Sequence, residues 1–252
     1  MRRALILLLI LALLWLGWEA VLVIFEIPAW MLPTPRGVAE EAVRSWRILV
    51  GQAAFTLSAA VLGLAAALAF AAFFSVVFAL SRLAERAAMP ALIIARSAPA
   101  AAIAPLIMLF TGRGIATSIV VVVLVGFFPL LVNLLRGYAA ADRNAIELMH
   151  VHGASPLRTL VTVRLPYALP FLFAGLRVAS AAALLGAMLS EWMTGSDGLG
   201  QLILDAAELR ELELLWAAVL LSVAMALMAF GATTMAEARA TRWRQASVAP
   251  GL

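Results

Sequence analysis

The sequence predicts an all-α membrane protein of about six transmembrane helices, and three observations carry that prediction. Hydrophobic residues make up 65% of the 252 residues and charged residues 13%, against about 45–50% and about 25% in an average globular chain. The apolar residues come in runs long enough to cross a bilayer, which takes about 20 residues each. The arginines then sort to one side of the map that those runs define.

The opening MRRALILLLILALLWLGWEA continues through VLVIF beyond Glu19. That is too long for the apolar region of a signal peptide, so it is read as a retained first span at about 4–25, with Arg2 and Arg3 inside. EIPAWMLPTPRGVAEEAVRSWR follows as an outside loop leading into a short surface helix. Pro33 and Pro35 bias their neighbours to extended backbone, which predicts no helix before Gly37. A second span at about 50–80 ends in SRLAERAAMP, a third occupies about 91–111, and TGRG turns the chain into a fourth that ends near Leu135. A polar segment, 142–166, comes next. The fifth span, about 171–193, is broken by TGSDGLG, and the sixth, about 214–234, ends in EARATRWRQ. The chain, 1–252, reads as a single transmembrane domain with its core at about 50–237.

Six spans put both termini on one side. Arg82, Arg86, Arg96, Arg136, Arg143, Arg158, Arg164, Arg177, Arg239, Arg242 and Arg244 then join Arg2 and Arg3 inside, while Arg36, Arg44, Arg47, Arg113 and Arg210 fall outside. Basic residues are held on the cytoplasmic face, so both termini are expected in the cytoplasm. Asp197, Asp205, Glu208, Glu211 and Glu213 crowd the outside loop before the last span. Trp15, Trp18, Trp30, Trp46, Trp192, Trp216 and Trp243 lie mostly near span ends, as an interfacial belt would. Alanine-rich stretches such as LGLAAALAFAA predict close helix contacts.

Composition also excludes function classes. Cysteine is absent, which removes thiol catalysis and thiolate metal sites. Every basic residue in the Lys+Arg count is Arg, so the chain supplies neither the lysine of a Walker A loop nor a Schiff base. If nucleotide energy is used, another polypeptide must bind the nucleotide. No basic patch with interleaved aromatics points to nucleic acid.

The polar segment NAIELMHVHGASPLRTLVTVRLP is punctuated as two helices around a corner. Asn144 is placed as an N-cap with Glu147 three residues on, as in a capping box. The first helix runs to about His152, Gly153 supplies a left-handed C-cap, and Ser155 restarts the chain with Pro156 in the first helical position. Leu157, Leu160 and Val161 share one face by spacing, and Pro166 is expected to stop the second helix. Such a unit is shaped to dock, although an ordinary interfacial amphipathic helix would account for its apolar face.

ELMHVHGASPLRTLVTVRLP resembles the EAA loop of ATP-binding-cassette importer permeases, with Glu147, Gly153, Leu165 and Pro166 on its spacing. LPTPRGV, RSAPAAAIAPLIMLFTGRG, FFPLLVN and SEWMTGSDGLGQLI resemble successive parts of one subgroup, the permeases for nitrate, sulfonate, taurine and related organic solutes. Leu148 and Met149 depart from the paired alanines of that loop. The resemblance implies a type I importer permease (MetI-like) fold and no catalytic, cofactor or metal site in this chain. It implies a homodimer with two ATP-binding subunits that carry ATP and Mg, and an extracytoplasmic solute-binding protein, in a bacterial cytoplasmic membrane. It assigns the coupling contact with the ATPase to Glu147, Leu148, Met149, His152, Gly153, Ala154, Ser155, Pro156, Leu165 and Pro166. SEW at 190–192 leans toward a thiamine-precursor pyrimidine as the alternative solute.

Other polar groups are less specific. His150 and His152 stand two apart and face different ways, a poor metal pair. Glu191 and Trp192 end the fifth span, where a carboxylate is either part of a gate or pathway or simply solvated at the interface. Gln52, Thr56, Ser58 and Asn133 either line a pathway or bond a neighbouring helix. Arg177 is expected to snorkel to the inner interface. Two rival functions have discriminating signals. An intramembrane enzyme needs converging catalytic groups in the spans, and a secondary transporter usually carries inverted repeats. Neither pattern is seen.

Overall fold

A computed structural model describes residues 2–28 and 30–241. The elements are helices α1 (Arg2–Ile24), α2 (Pro35–Arg44), α3 (Trp46–Leu80), α4 (Arg82–Ser97), α5 (Ala100–Thr111), α6 (Ile115–Ala139), α7 (Arg143–Val151), α8 (Pro156–Thr159), α9 (Leu165–Thr194), α10 (Leu199–Glu208) and α11 (Leu212–Ala240). One π-helical turn, Leu160–Arg164, joins α8 to α9. The chain is all-α, as expected. α3, α6, the continuous run Pro156–Thr194 and α11 are each long and apolar enough to cross a membrane. α4 and α5, counted as one bent span, make a fifth, and within α1 the segment Ala12–Ile24 is a shorter apolar helix, so the described residues give four or five spans against the six expected.

The third span is corrected by that pairing. α4 and α5 meet at 99° across Ala98–Pro99, so 91–111 is a broken unit and not a straight helix. The break falls at Pro99: its ring disfavours helical backbone at the preceding residue, and Ala98 sits at ψ 131°. A second correction concerns Pro35. It begins α2, because Thr34 caps that helix by accepting from the Gly37 N–H at 3.1 Å, and a proline in the first turn loses no hydrogen bond. α11 also runs further than the expected sixth span, through Ala240. Trp243, Arg242 and Arg244 lie outside the described residues.

α6 and α9 pack most extensively on each other, and α3 closes the layer on α6. Small residues make this possible. Ala59, Ala60, Ala67 and Ala71 are buried along α3, and a Cβ on Gly63 would stand 2.5 Å from Val122 Cβ on α6. At the far end of α6, a Cβ on Gly137 would stand 2.5 Å from the Ala168 backbone. Dispersion between closely fitted backbones is what holds helices together in lipid.

The core has two centres. One, near α2 and α10, gathers Val38, Leu49, Ala183, Leu199 and Leu214; the other, near α7, gathers Phe78, Leu130, Leu131, Tyr138 and Leu160. Trp18 packs against Trp216 with the rings tilted at 52° and their centroids 5.1 Å apart, joining α1 to α11. Arg177 does not snorkel free: its guanidinium pairs with Glu237 on α11, both half-buried. Apolar side chains of α1 such as Leu5, Leu14 and Val23 are exposed, as a lipid-facing helix requires.

Candidate functional site

Two polar constructions stand at opposite ends of the bundle. The first is the elbow after α6. Asp142, not Asn144, is the N-cap of α7: its carboxylate accepts from the Asn144 N–H at 3.1 Å. Asn144 is already helical, and Glu147 turns to Arg143 at 3.3 Å instead of back to a cap. His152 ends the helix, its Nδ1 in contact with the Leu148 carbonyl at 2.8 Å. Gly153 takes φ +67° and donates to the His150 carbonyl at 2.9 Å, while Ala154 donates to Met149 at 3.0 Å. Ser155 Oγ then caps α8 by accepting from the Arg158 N–H, with Pro156 in the first turn. The corner is therefore fixed from both sides, with the left-handed residue being the one that carries no side chain.

Pro166 does not stop the second helix. The chain runs from Pro156 to Thr194 without a break, because residues 160–164 form a π turn in which Leu165 N–H reaches the Leu160 carbonyl. Pro166 lacks an N–H and would collide with a carbonyl four residues back in a regular α-helix; the wider turn just before it relieves both problems. The same turn splits the predicted apolar face. Leu160 is buried, while Leu157 and Val161 stay exposed. With Leu148 (59% exposed) and Val151 (83%), they form an apolar tip on the elbow. Glu147 and Arg143 flank it, and Met149 is half-buried behind it. Between the elbow and the ends of α3 and α6 lies a cavity of about 340 Å³, lined by Phe78, Arg82, Glu85, Tyr138, Ile146 and Arg164 among others.

The second construction is a knot at the other end. Glu191, in the last turns of α9, is fully buried rather than solvated. Its Oε2 accepts from the Thr56 hydroxyl at 3.0 Å and from the Gly200 N–H at 2.9 Å. Thr56 Oγ1 in turn accepts from the Leu199 N–H at 2.8 Å, and Gln52 Oε1 accepts from the Gly198 N–H at 2.5 Å. The first N–H groups of a helix have no partner within it. α10 has no local side-chain cap, so side chains from α3 and α9 cap it across the fold. Gly198 sits at φ +132°, and a Cβ there would collide with the Glu191 carboxyl group; one on Gly200 would collide with the Met188 carbonyl. The glycines of GSDGLG thus let α10 lie flush on α9.

Of the residues expected near a pathway, the structure brings Thr56 and Glu191 into one site. Asn133 is elsewhere, its amide donating to the Pro129 carbonyl at 2.8 Å on its own helix. Trp192 points away from the knot and is 49% exposed. Gly198, Leu199 and Gly200 were not expected there. Their partners lie 143–146 residues away in sequence or across a turn, beyond the reach of local spacing.

The family of binding-protein-dependent transport system inner membrane components matches residues 59–242. A probable ABC transporter permease of Haemophilus influenzae is 33% identical over 87% of this chain and 90% of its own length. A riboflavin transport system permease of Chloroflexus aurantiacus is 34% identical over 90% of this chain and 85% of its own. A formylaminopyrimidine transport permease of Halalkalibacterium halodurans is 30% identical over 71% and 74%.

Proposed function

This chain belongs to the inner membrane components of binding-protein-dependent transport systems, and on that premise we propose that its α7–α8 elbow couples a separate ATPase to solute import. It is a multi-pass, non-catalytic permease subunit of an ATP-binding-cassette transporter; ATP is hydrolysed on another subunit. The proposal adds the rest of the machine. Two copies of the chain form a homodimer around the pathway, two ATP-binding subunits hold ATP and Mg, and a binding protein delivers the solute from outside.

The observation that carries this is continuity. The elbow's apolar tip is rooted in one helix of 39 residues, Pro156–Thr194, about 58 Å long at 1.5 Å per residue. That helix ends in the Glu191 knot, which grips α10. A displacement of the tip by a closing partner is carried along α9 to the far end, as in rocking between discrete states. Glu147, Leu148, Met149, His152, Gly153, Ala154, Ser155 and Pro156 form the contact and its corner; Leu165 and Pro166 belong to the shaft. Glu191 and Thr56 belong to the far gate.

Orientation follows from charge. Arg82, Arg86, Arg136, Arg143, Arg158 and Arg164 lie toward the elbow end, and the positive-inside rule supports a cytoplasmic elbow and cytoplasmic termini in a bacterial inner membrane. Solutes named for the relatives include riboflavin and formylaminopyrimidine, and the resemblance of LPTPRGV, FFPLLVN and SEWMTGSDGLGQLI to one permease subgroup adds nitrate, sulfonates and taurine; a small compound of this range is the cargo. The test is Gly153→Pro. Proline fixes φ near −65°, against +67° here, so the corner breaks while the spans are untouched. In vesicles with the ATPase and binding protein present, the variant should insert normally and lose solute-stimulated ATP hydrolysis. Undiminished stimulation would refute the coupling role.

A further inference from the structure

We infer that the break between α4 and α5 lines a water-filled solute path at mid-membrane, and that the Arg96 guanidinium there meets an oxyanion group, of sulfonate or carboxylate type, on the passing solute. The inference rests on the permease reading above and names a residue of its pathway.

By sequence Arg96 counts among the cytoplasmic arginines; the structure places its charge deeper. Its guanidinium stands 5.0 Å from the ring centroid of Phe128 on α6. Phe128 is the fourteenth of the 25 residues of α6, so the charge lies about 17 Å from the inner end of that helix at about 1.5 Å per residue. That is well within a hydrocarbon core about 30 Å thick. The charged end itself sits over the ring, so this is not a stem crossing apolar surface with its head in water. Arg96 is exposed, and among the described residues it has no ion-pair partner. A charge at that depth faces protein or a water-filled cavity, not acyl chains.

The adjoining backbone leads to the same place. Ser97, Ala98 and Pro99 are exposed too, and α4 and α5 part there at 99°. Pro99 has no N–H, and no side chain caps the start of α5, so its first amides have no partner within the helix. Irregular backbone at membrane depth is tolerated only where protein buries it or water bathes it. A second copy of the chain brings no counter-ion to this depth. In the described spanning helices the carboxyl groups are Glu19 toward the outer end of α1, Glu213 in the first turn of α11, Glu191, which caps α10, and Glu237, which pairs with Arg177. Glu85 stands at the other end of α4, on the cavity by the elbow. What is left for Arg96 is water and an anion that arrives through it. The Phe128 ring holds the guanidinium from one side, and its fork of N–H donors matches the paired oxygens of a carboxylate or sulfonate. An arginine in a pore favours anions over cations.

The chain has no cysteine, so Ser97→Cys puts a single thiol of this subunit at the break. The test uses the full importer, with its ATPase and binding protein, in nanodiscs that leave both faces open, with and without ATP. Two water-soluble methanethiosulfonates are compared, one carrying a sulfonate and one a trimethylammonium group, each rate divided by its rate with a free thiol. Both should label the cysteine, the sulfonate reagent about tenfold faster than the cationic one, the scale of one nearby charge. Adding Arg96→Gln should bring the ratio to about one, and Arg96→Lys should keep it; a change in thiol reactivity common to both reagents cancels. Labelling by neither charged reagent, while a lipid-soluble maleimide reacts, would give the break to lipid or protein and overturn the inference. A preference that survives Arg96→Gln would overturn the role of Arg96. Both of those outcomes leave the permease reading standing if the complex keeps solute-stimulated ATP hydrolysis; without any such hydrolysis in the unsubstituted complex, that reading falls and takes the inference with it.

Discussion

Replacing Glu191 by Ala should release α10 from the bundle, and the size of the effect can be worked from the contacts. Glu191 Oε2 accepts two hydrogen bonds, from Gly200 N–H and Thr56 Oγ1. Thr56 keeps an alternative acceptor in the Gln52 carbonyl at 3.2 Å, so the substitution orphans one buried donor, the Gly200 N–H. A buried unpaired donor costs about 1–3 kcal/mol. Emptying roughly 50 Å³ adds about 1 kcal/mol at the usual cavity cost. The sum, roughly 3 kcal/mol, corresponds to a rise on the order of a hundredfold in local opening. Hydrogen–deuterium exchange of the α10 amides in nanodiscs reads this directly. Glu191→Ala should speed exchange across 199–208 by that factor and leave α6 unchanged. Glu191→Gln keeps an acceptor in the Oε2 position and places its amide where Glu191 Oε1 has no partner among the described residues, so it should stay within about tenfold of wild type. Equal protection in wild type and Glu191→Ala would refute the idea that this carboxyl group caps α10.

Two further perturbations test the packing. Gly63→Ala puts a methyl group 2.5 Å from Val122 Cβ; it should cost about 1–3 kcal/mol as overpacking and lower the unfolding temperature in detergent by several degrees, whereas Gly51→Ala, with nothing within 4 Å, should not. Arg177→Ala should destabilise more than the double variant Arg177→Ala/Glu237→Ala, because the single change leaves a half-buried carboxylate unpaired; thermal unfolding of the two single variants and the double gives the coupling, and strict additivity would contradict it.

The punctuation of the elbow was legible because it is local. Gly153, Ser155 and Pro156 each act on their own or the adjacent backbone, so residue type and order suffice, and the left-handed Gly195 ends α9 where the TGSDGLG stretch said it would. Two other local signals are ambiguous by residue type alone. SAP at 97–99 carries the break between α4 and α5, and Asp142 competes with Asn144 as a cap; both are good N-cap residues, and only the backbone shows which one stays outside the helix. Pro166 misled for a subtler reason: a proline stops an α-helix, but a π turn ahead of it removes the steric objection. The Glu191 knot was out of reach altogether. An exposed interfacial Glu and a buried capping Glu look alike in sequence, and the difference is made by α3 residues about 135 positions away.

The central claim is that the elbow is pushed by a separate nucleotide-hydrolysing subunit. A photo-activated cross-linker in place of Leu148, at the exposed apolar tip, tests it in intact cells. The account predicts one dominant adduct, with a polypeptide that binds ATP, whose yield changes when ATP is depleted. An elbow that captures only lipid, or no ATP-binding polypeptide under any condition, would contradict it.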